Sequence, residues 1–158
     1  MDPNAVDFGD LNWLAIGLSF LAMLVLGFVW YAPWFPTGKI WLRHMGLDPS
    51  NMPKAPAGQM AVSLVLMALG SFFMMFVFAH TNMVYEDAFR NTATGGTAGF
   101  ELRLGDTLTG AFFTWLGFIV PLNLNAVAFE NKPWSLFFVN AGFYLVGLLV
   151  AATLLVSV

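Results

Sequence analysis

Residues 107–158 read TLTGAFFTWLGFIVPLNLNAVAFENKPWSLFFVNAGFYLVGLLVAATLLVSV. Two uncharged apolar runs, 107–129 and 134–158, flank the polar tetrapeptide Glu130-Asn131-Lys132-Pro133. Each run supplies the roughly 20 residues a helix needs to cross a hydrocarbon core. Four polar residues leave length for a tight return only, so the two runs form an antiparallel helical pair. Pro133 suits the first turn of the second helix, where a missing N–H costs nothing.

Working outward, residues 11–35 and 59–80 are two more runs of the same kind. The composition, 59% hydrophobic and 9% charged, lies far from that of a soluble domain, where about a quarter of residues are charged. We therefore expect one transmembrane domain over residues 1–158: an all-α, integral membrane, antiparallel four-helix bundle, with spans at about 11–35, 59–80, 107–129 and 134–158. Met1 to Asp10 carries three aspartates and no basic residue, unlike a signal peptide, so the first helix is expected to remain. The absence of cysteine excludes disulfides, thiolate metal sites and cysteine nucleophiles.

Charge divides unevenly between the two faces. The first and third connections hold Lys39, Arg43, Lys54 and Lys132, whereas the other face holds only Arg90 and Arg103 among Asp2, Asp7, Asp10, Glu86, Asp87, Glu101 and Asp106. Basic residues in short loops stay in the cytoplasm, so both termini are expected outside. Trp13, Trp30, Trp34, Trp41 and Trp134 stand near span ends and are expected to anchor at the lipid–water interface. Pro33 and Pro36 end the first helix. After them GKIWLRHMG, residues 38–46, mixes apolar and basic side chains as a short helix lying on the membrane surface does. Asp48 to Pro56 contains three prolines and reads as an irregular linker, and TATGGTAG at 92–99 as a turn or hairpin within the long Thr81 to Asp106 connection.

NWLA at 12–15, WYAP at 30–33, GKIWLRHMG at 38–46 and AFENKPWSLFFVNAGFYLVGLLVAATLL at 128–155 together resemble the small bacterial membrane proteins grouped as domain of unknown function seventeen-sixty-one. The resemblance covers nearly the whole chain. It implies a four-helix protein of the bacterial inner membrane and brings no activity, cofactor or catalytic residue with it.

Chemistry must then come from polar residues inside the spans. Asn123 and Asn140 are equally far, 8.5 residues, from the centre of the turn between Asn131 and Lys132, so they share a depth and can hydrogen-bond across the hairpin. Asn125, Tyr31, Gln59 and Ser63 fall in the same third of the bilayer and complete a candidate polar layer. Pro121 breaks the third helix and frees a carbonyl near Gly117, which is tolerated where backbone meets other helices or a wet cavity. The layer either holds helices together or bounds a site for a small solute.

No Asp, Glu, Lys, Arg or His lies well inside a span, which argues against a proton-coupled carrier. Ser19, Ser63, Ser71 and Ser135 have no expected histidine partner, so no catalytic residue is assigned and an enzyme is not expected. His44 and His80 fall on opposite faces and cannot share a metal; Glu86, Asp87, Glu101 and Asp106 offer oxygen ligands without Ca²⁺-loop spacing, and no metal or cofactor is assigned. The few scattered basic residues exclude nucleic acid as a partner. Small-residue pairs, Ala15 with Ser19, Gly110 with Thr114 and Gly147 with Ala151, allow close helix approach within or between chains. Phe72, Phe73, Met74, Met75, Phe76 and Phe78 crowd one helix and must cover more than one face, toward lipid or a partner. The expected function is non-enzymatic and within an oligomeric assembly, as an accessory subunit or a binder of a hydrophobic ligand. The alternative is a homo-oligomeric channel or transporter with a neutral, Asn-lined site.

Overall fold

The computed structural model describes residues 9, 11–48, 50, 51, 56–86, 88 and 102–158. Asp2, Asp7, Asp10, Pro49, Pro53, Lys54, Asp87, Arg90, Glu101 and the stretch 92–99 lie outside the described residues. Every regular element among those described is helical: α1 Trp13–Trp30, α2 Pro36–His44, α3 Ala57–Glu86, α4 Leu104–Thr114, a π turn Trp115–Ile119, α5 Val120–Glu130 and α6 Trp134–Ser157. Four rods, with α4, the π turn and α5 continuous from Leu104 to Glu130, are long and apolar enough to cross a membrane.

Local chemistry sets the ends. The Asn12 side chain accepts a hydrogen bond from the Ala15 amide at 3.0 Å, capping the first turn of α1. The helix stops at Trp30, and the next proline that matters is Pro36, which opens α2 from its first position instead of closing α1. Thr37 Oγ1 donates to the Trp30 carbonyl across this turn. Gly38 is buried there, and a methyl group on it would overlap the Ala32 carbonyl oxygen. Leu42 faces inward beside it, while Lys39, Arg43 and His44 are exposed. Just beyond α2 the Ser50 hydroxyl, and then its amide, donate to the Asp48 carboxylate and hold it below the usual carboxylate range. At the hairpin, Asn131 takes the left-handed conformation (φ 54°) and Lys132 N–H returns to the Ala126 carbonyl at 3.1 Å, which closes α5 and releases the chain into α6.

Helix α6 is the centre of the packing: it meets α1, α2, α3, α4, the π turn and α5. Its Leu148, Ala151, Ala152 and Leu155 form one core with Ala15 and Ile16 of α1, Met75, Phe78, Ala79 and Met83 of α3, and Ala111 of α4. That core lies toward the end remote from α2. Of the small-residue pairs, Ala15, Ser19, Gly147 and Ala151 are all buried inside this chain, and Gly110 faces Asn82 of α3. They serve contacts within one chain.

The crowded segment of α3 is shared out. Met75 and Phe78 are buried, Phe72 and Phe76 meet the α1 rings of Phe20 and Trp13, and Phe73 points outward. At 30 residues α3 is about 45 Å long and runs past His80 to Glu86. Glu86, expected in an exposed acidic connection, is instead buried in the last turn of that extension. By contrast, residues 57–66 are exposed on every face. Helix α3 touches α4 but not α5, so the helices part toward the α2 end. Leu14, Leu21, Val25, Phe28, Phe113, Phe118, Leu122 and Phe138 cover the outside, far more apolar surface than a monomer in water exposes.

Replacing Gly38 with alanine forces the α1–α2 turn apart and is expected to cost about 1–3 kcal/mol. Thermal unfolding in detergent checks this, with Gly58→Ala, which has open space around its Cβ position, expected to unfold like the unaltered protein.

Candidate functional site

The divergence of α3 from α5 leaves a cleft of about 670 Å³. Met23 and Gly27 of α1, Tyr31 just past its end, Leu66, Met67, Gly70, Ser71 and Met74 of α3, Ile119 of the π turn, Leu122 and Asn123 of α5, and Asn140, Phe143 and Tyr144 of α6 line it. The volume falls in the range of small-molecule sites, and an apolar wall with a few polar groups is their usual chemistry.

The polar end is built around Asn140. Tyr31 reaches it from the end of α1, its hydroxyl donating to Asn140 Oδ1 at 3.2 Å. Two indoles fix the backbone on either side: Trp30 Nε1 donates to the Val139 carbonyl at 3.0 Å, and Trp115 Nε1 to the Ala141 carbonyl at 2.7 Å. The Tyr31 ring packs on Phe143 with centroids 5.4 Å apart and on Trp41 of α2 at 5.7 Å. Side chains from α1, α2, the π turn and α6 therefore set the position of one amide.

The opposite wall depends on Pro121. Having no N–H, it removes one rung from whatever helix contains it. The chain does not break at this point, as the sequence reading expected, but widens: Val120 N–H reaches five residues back to the Trp115 carbonyl and the helix resumes as α5. The widened turn brings Trp115 onto α6 and Ile119 into the cleft. Asn123 also lines the cleft, yet its Nδ2 donates to the Ile119 carbonyl at 2.9 Å, four residues back on its own helix, and not across the hairpin to Asn140.

Of the expected polar layer, then, Tyr31, Asn123 and Asn140 come together. Asn125 lies two residues beyond Asn123, about 200° around the helix, and is exposed. Gln59 and Ser63 are exposed on the diverging half of α3. Among the tryptophans, Trp13, Trp34 and Trp134 are exposed near helix ends, Trp41 is half-buried on Tyr31, and Trp30 faces inward to bond α6. Sequence reasoning missed the bond that Trp115 makes to α6 and the place of Ser71 on the cleft wall. The available signal was a tryptophan at the centre of a span, where an indole N–H requires a partner.

One expectation about serines is overturned. His44 Nε2 lies 2.8 Å from Ser135 Oγ, because α2 folds back over the first turn of α6. The pair is exposed, and no carboxylate orients the second imidazole nitrogen among the described residues. As it stands it ties α2 to α6 and lacks the third group of a nucleophilic triad. A smaller cleft of about 420 Å³ lies between α3 and α4 at the far end, beside Asn82 and Gly110.

Neither the curated proteins nor the solved structures contain a match to this chain. A protein family does match, over residues 14–156, an interval that takes in every residue lining the larger cleft. The chain belongs to the family described as Protein of unknown function (DUF1761).

Proposed function

We propose that this chain is a non-enzymatic, multi-pass protein of the bacterial inner membrane, an antiparallel four-helix bundle that holds a hydrophobic ligand in the cleft between α1, α3, α5 and α6. The observation that carries the reading is the cleft itself: an apolar volume of about 670 Å³ with a hydrogen-bonded Tyr31–Asn140 pair at one end. Because α3 and α5 do not meet, a ligand enters sideways from the lipid without crossing an aqueous face. The neutral, Asn-lined pore is less well supported. A conduction path at a subunit interface needs its amides on one outward face, whereas Asn123 and Asn140 face the cleft and Asn125 is exposed on another side of α5.

Orientation follows from the basic residues. With Lys39, Arg43 and Lys132 at the α2 end, that end lies in the cytoplasm and both termini lie outside. The cleft then opens toward the cytoplasmic leaflet.

Gly70 supplies a direct test, since it lines the cleft, nothing lies within 4 Å of its Cβ position, and a large side chain there is expected to occupy the cleft. Extracted in mild detergent and weighed intact, the unaltered protein is expected to carry lipid in fixed ratio at an integral multiple of 17.3 kDa, and Gly70→Phe to lose that lipid. Equal retention by both proteins removes the ligand reading; recovery only within a larger complex replaces it with an accessory subunit.

The absence of cysteine makes orientation equally testable. A membrane-impermeant maleimide is expected to label Ser157→Cys on intact cells and Asn51→Cys only after lysis. The reverse pattern inverts the topology.

A further inference from the structure

We infer that the ligand of this cleft is an uncharged lipid whose head is a flat ring bearing carbonyl acceptors, the chemistry of an isoprenoid quinone. The inference rests on the ligand reading given above and goes further by naming the head group.

Charge is the first discriminator. None of the fourteen residues lining the cleft is Asp, Glu, Lys, Arg or His. An anionic phospholipid head placed there would lose its hydration with no counter-charge in return, and isolated buried charge is strongly unfavourable. Hydrogen bonding is the second. Asn140 Oδ1 is occupied by the Tyr31 hydroxyl, which leaves the two Nδ2–H donors of Asn140 for the cleft. Asn123 gives one of its two Nδ2–H donors to the Ile119 carbonyl. Ser71 and Tyr144 add hydroxyls that can donate as well, so the lining offers donors from several sides, the pair on Asn140 being the one held in place by Tyr31, and what they recognise together is an acceptor, a carbonyl above all.

Shape is the third. Met23, Met67 and Met74 line the cleft together with the rings of Phe143 and Tyr144. Thioethers are polarizable, adapt to irregular outlines and make favourable contacts with the edges of rings. Gly70 has nothing within 4 Å of its Cβ position and leaves that part of the wall open, while Phe143 and Met67 cover Gly27 and present a ring face and a thioether against which a planar head can lie. A ring seated against Asn140 directs its substituent toward the gap between α3 and α5, where an isoprenoid tail continues into lipid.

The test uses the full chain in detergent micelles and decylubiquinone as the probe. Quinones quench tryptophan fluorescence, and Trp30 stands beside the site with its ring 6.5 Å from that of Phe143. Saturable quenching is expected in the unaltered protein and only linear, partition-type quenching in Gly70→Phe. Asn140→Leu is expected to weaken the saturable phase about tenfold, the loss of one to two hydrogen bonds, and Asn140→Gln to recover most of it. Excess dioleoylglycerol, which shares neutral carbonyls without the ring, is expected to leave quenching unchanged.

Displacement by dioleoylglycerol, or an Asn140→Leu protein that binds as tightly as the original, overturns the quinone assignment. Linear quenching in every protein overturns it as well. If the intact-mass measurement still shows lipid lost from Gly70→Phe in that case, the cleft keeps its ligand and only the head-group chemistry fails. If both measurements fail, the ligand reading falls with it.

Discussion

Two indole N–H groups ending on neighbouring stretches of one helix hold this structure at the depth that matters. Trp30 and Trp115 donate to the carbonyls of Val139 and Ala141, so α1 and the π turn are pinned to α6 on both sides of Asn140. A helical carbonyl has a second lone pair after its own backbone bond, and in hydrocarbon an indole N–H has few other acceptors. Interhelical bonds of this kind contribute about 0.6 kcal/mol on average and up to roughly 2. Two of them, one residue to each side of Asn140, fix its rotation about the α6 axis. The close packing of Ala15, Gly147, Ala151 and Ala152 fixes the other half of the helices and leaves the α2 end free to open.

The opening is governed by Pro121. An unbroken α-helix from Leu104 to Glu130 would keep one face toward α6 throughout, whereas the π turn shifts the register of α5 relative to α4. On the α4 side of the turn Ala111 and Thr107 are buried against α6, with Thr107 Oγ1 near the Ala152 carbonyl at 3.4 Å. On the α5 side no residue is buried, and Ile119, Leu122 and Asn123 border the cleft. A proline that costs one rung of backbone thus separates a packed half-helix from one that faces a cavity and lipid.

Much of the architecture was legible because spans and turns are signals of local composition. Charge-free runs of sufficient length, the Glu130–Pro133 turn and the amphipathic α2 all appear in the sequence, and the shared depth of Asn140 and Tyr31 follows from counting residues along the rods. What was not legible depended on rotation and register. Asn123 and Asn140 do share a depth, yet the π turn rotates α5 so that Asn123 closes on its own backbone. Trp30 stands at a helix end like an interfacial anchor but faces inward, a choice made by the neighbouring helix and not by its position in the chain. The His44–Ser135 contact joins residues 91 apart and exists only because Gly38 lets α2 lie close against the end of α1. Glu86 was misplaced because α3 continues beyond the apolar run that suggested its length.

In water a cleft like this one would close. Residues 57–66 of α3 are exposed all round, and the hydrophobic effect would drive them onto α5. In a bilayer that force is absent, since lipid tails are as apolar as the side chains, and α3 with all its backbone groups satisfied loses nothing by standing apart. The helices converge where small residues permit close packing and diverge where they do not. The volume between them is bounded by apolar surface and by a few polar groups. Here those groups are the amides of Asn123 and Asn140 and the hydroxyls of Tyr31, Ser71 and Tyr144, with the Asn140 amide clamped by Tyr31 and framed by two bonded carbonyls.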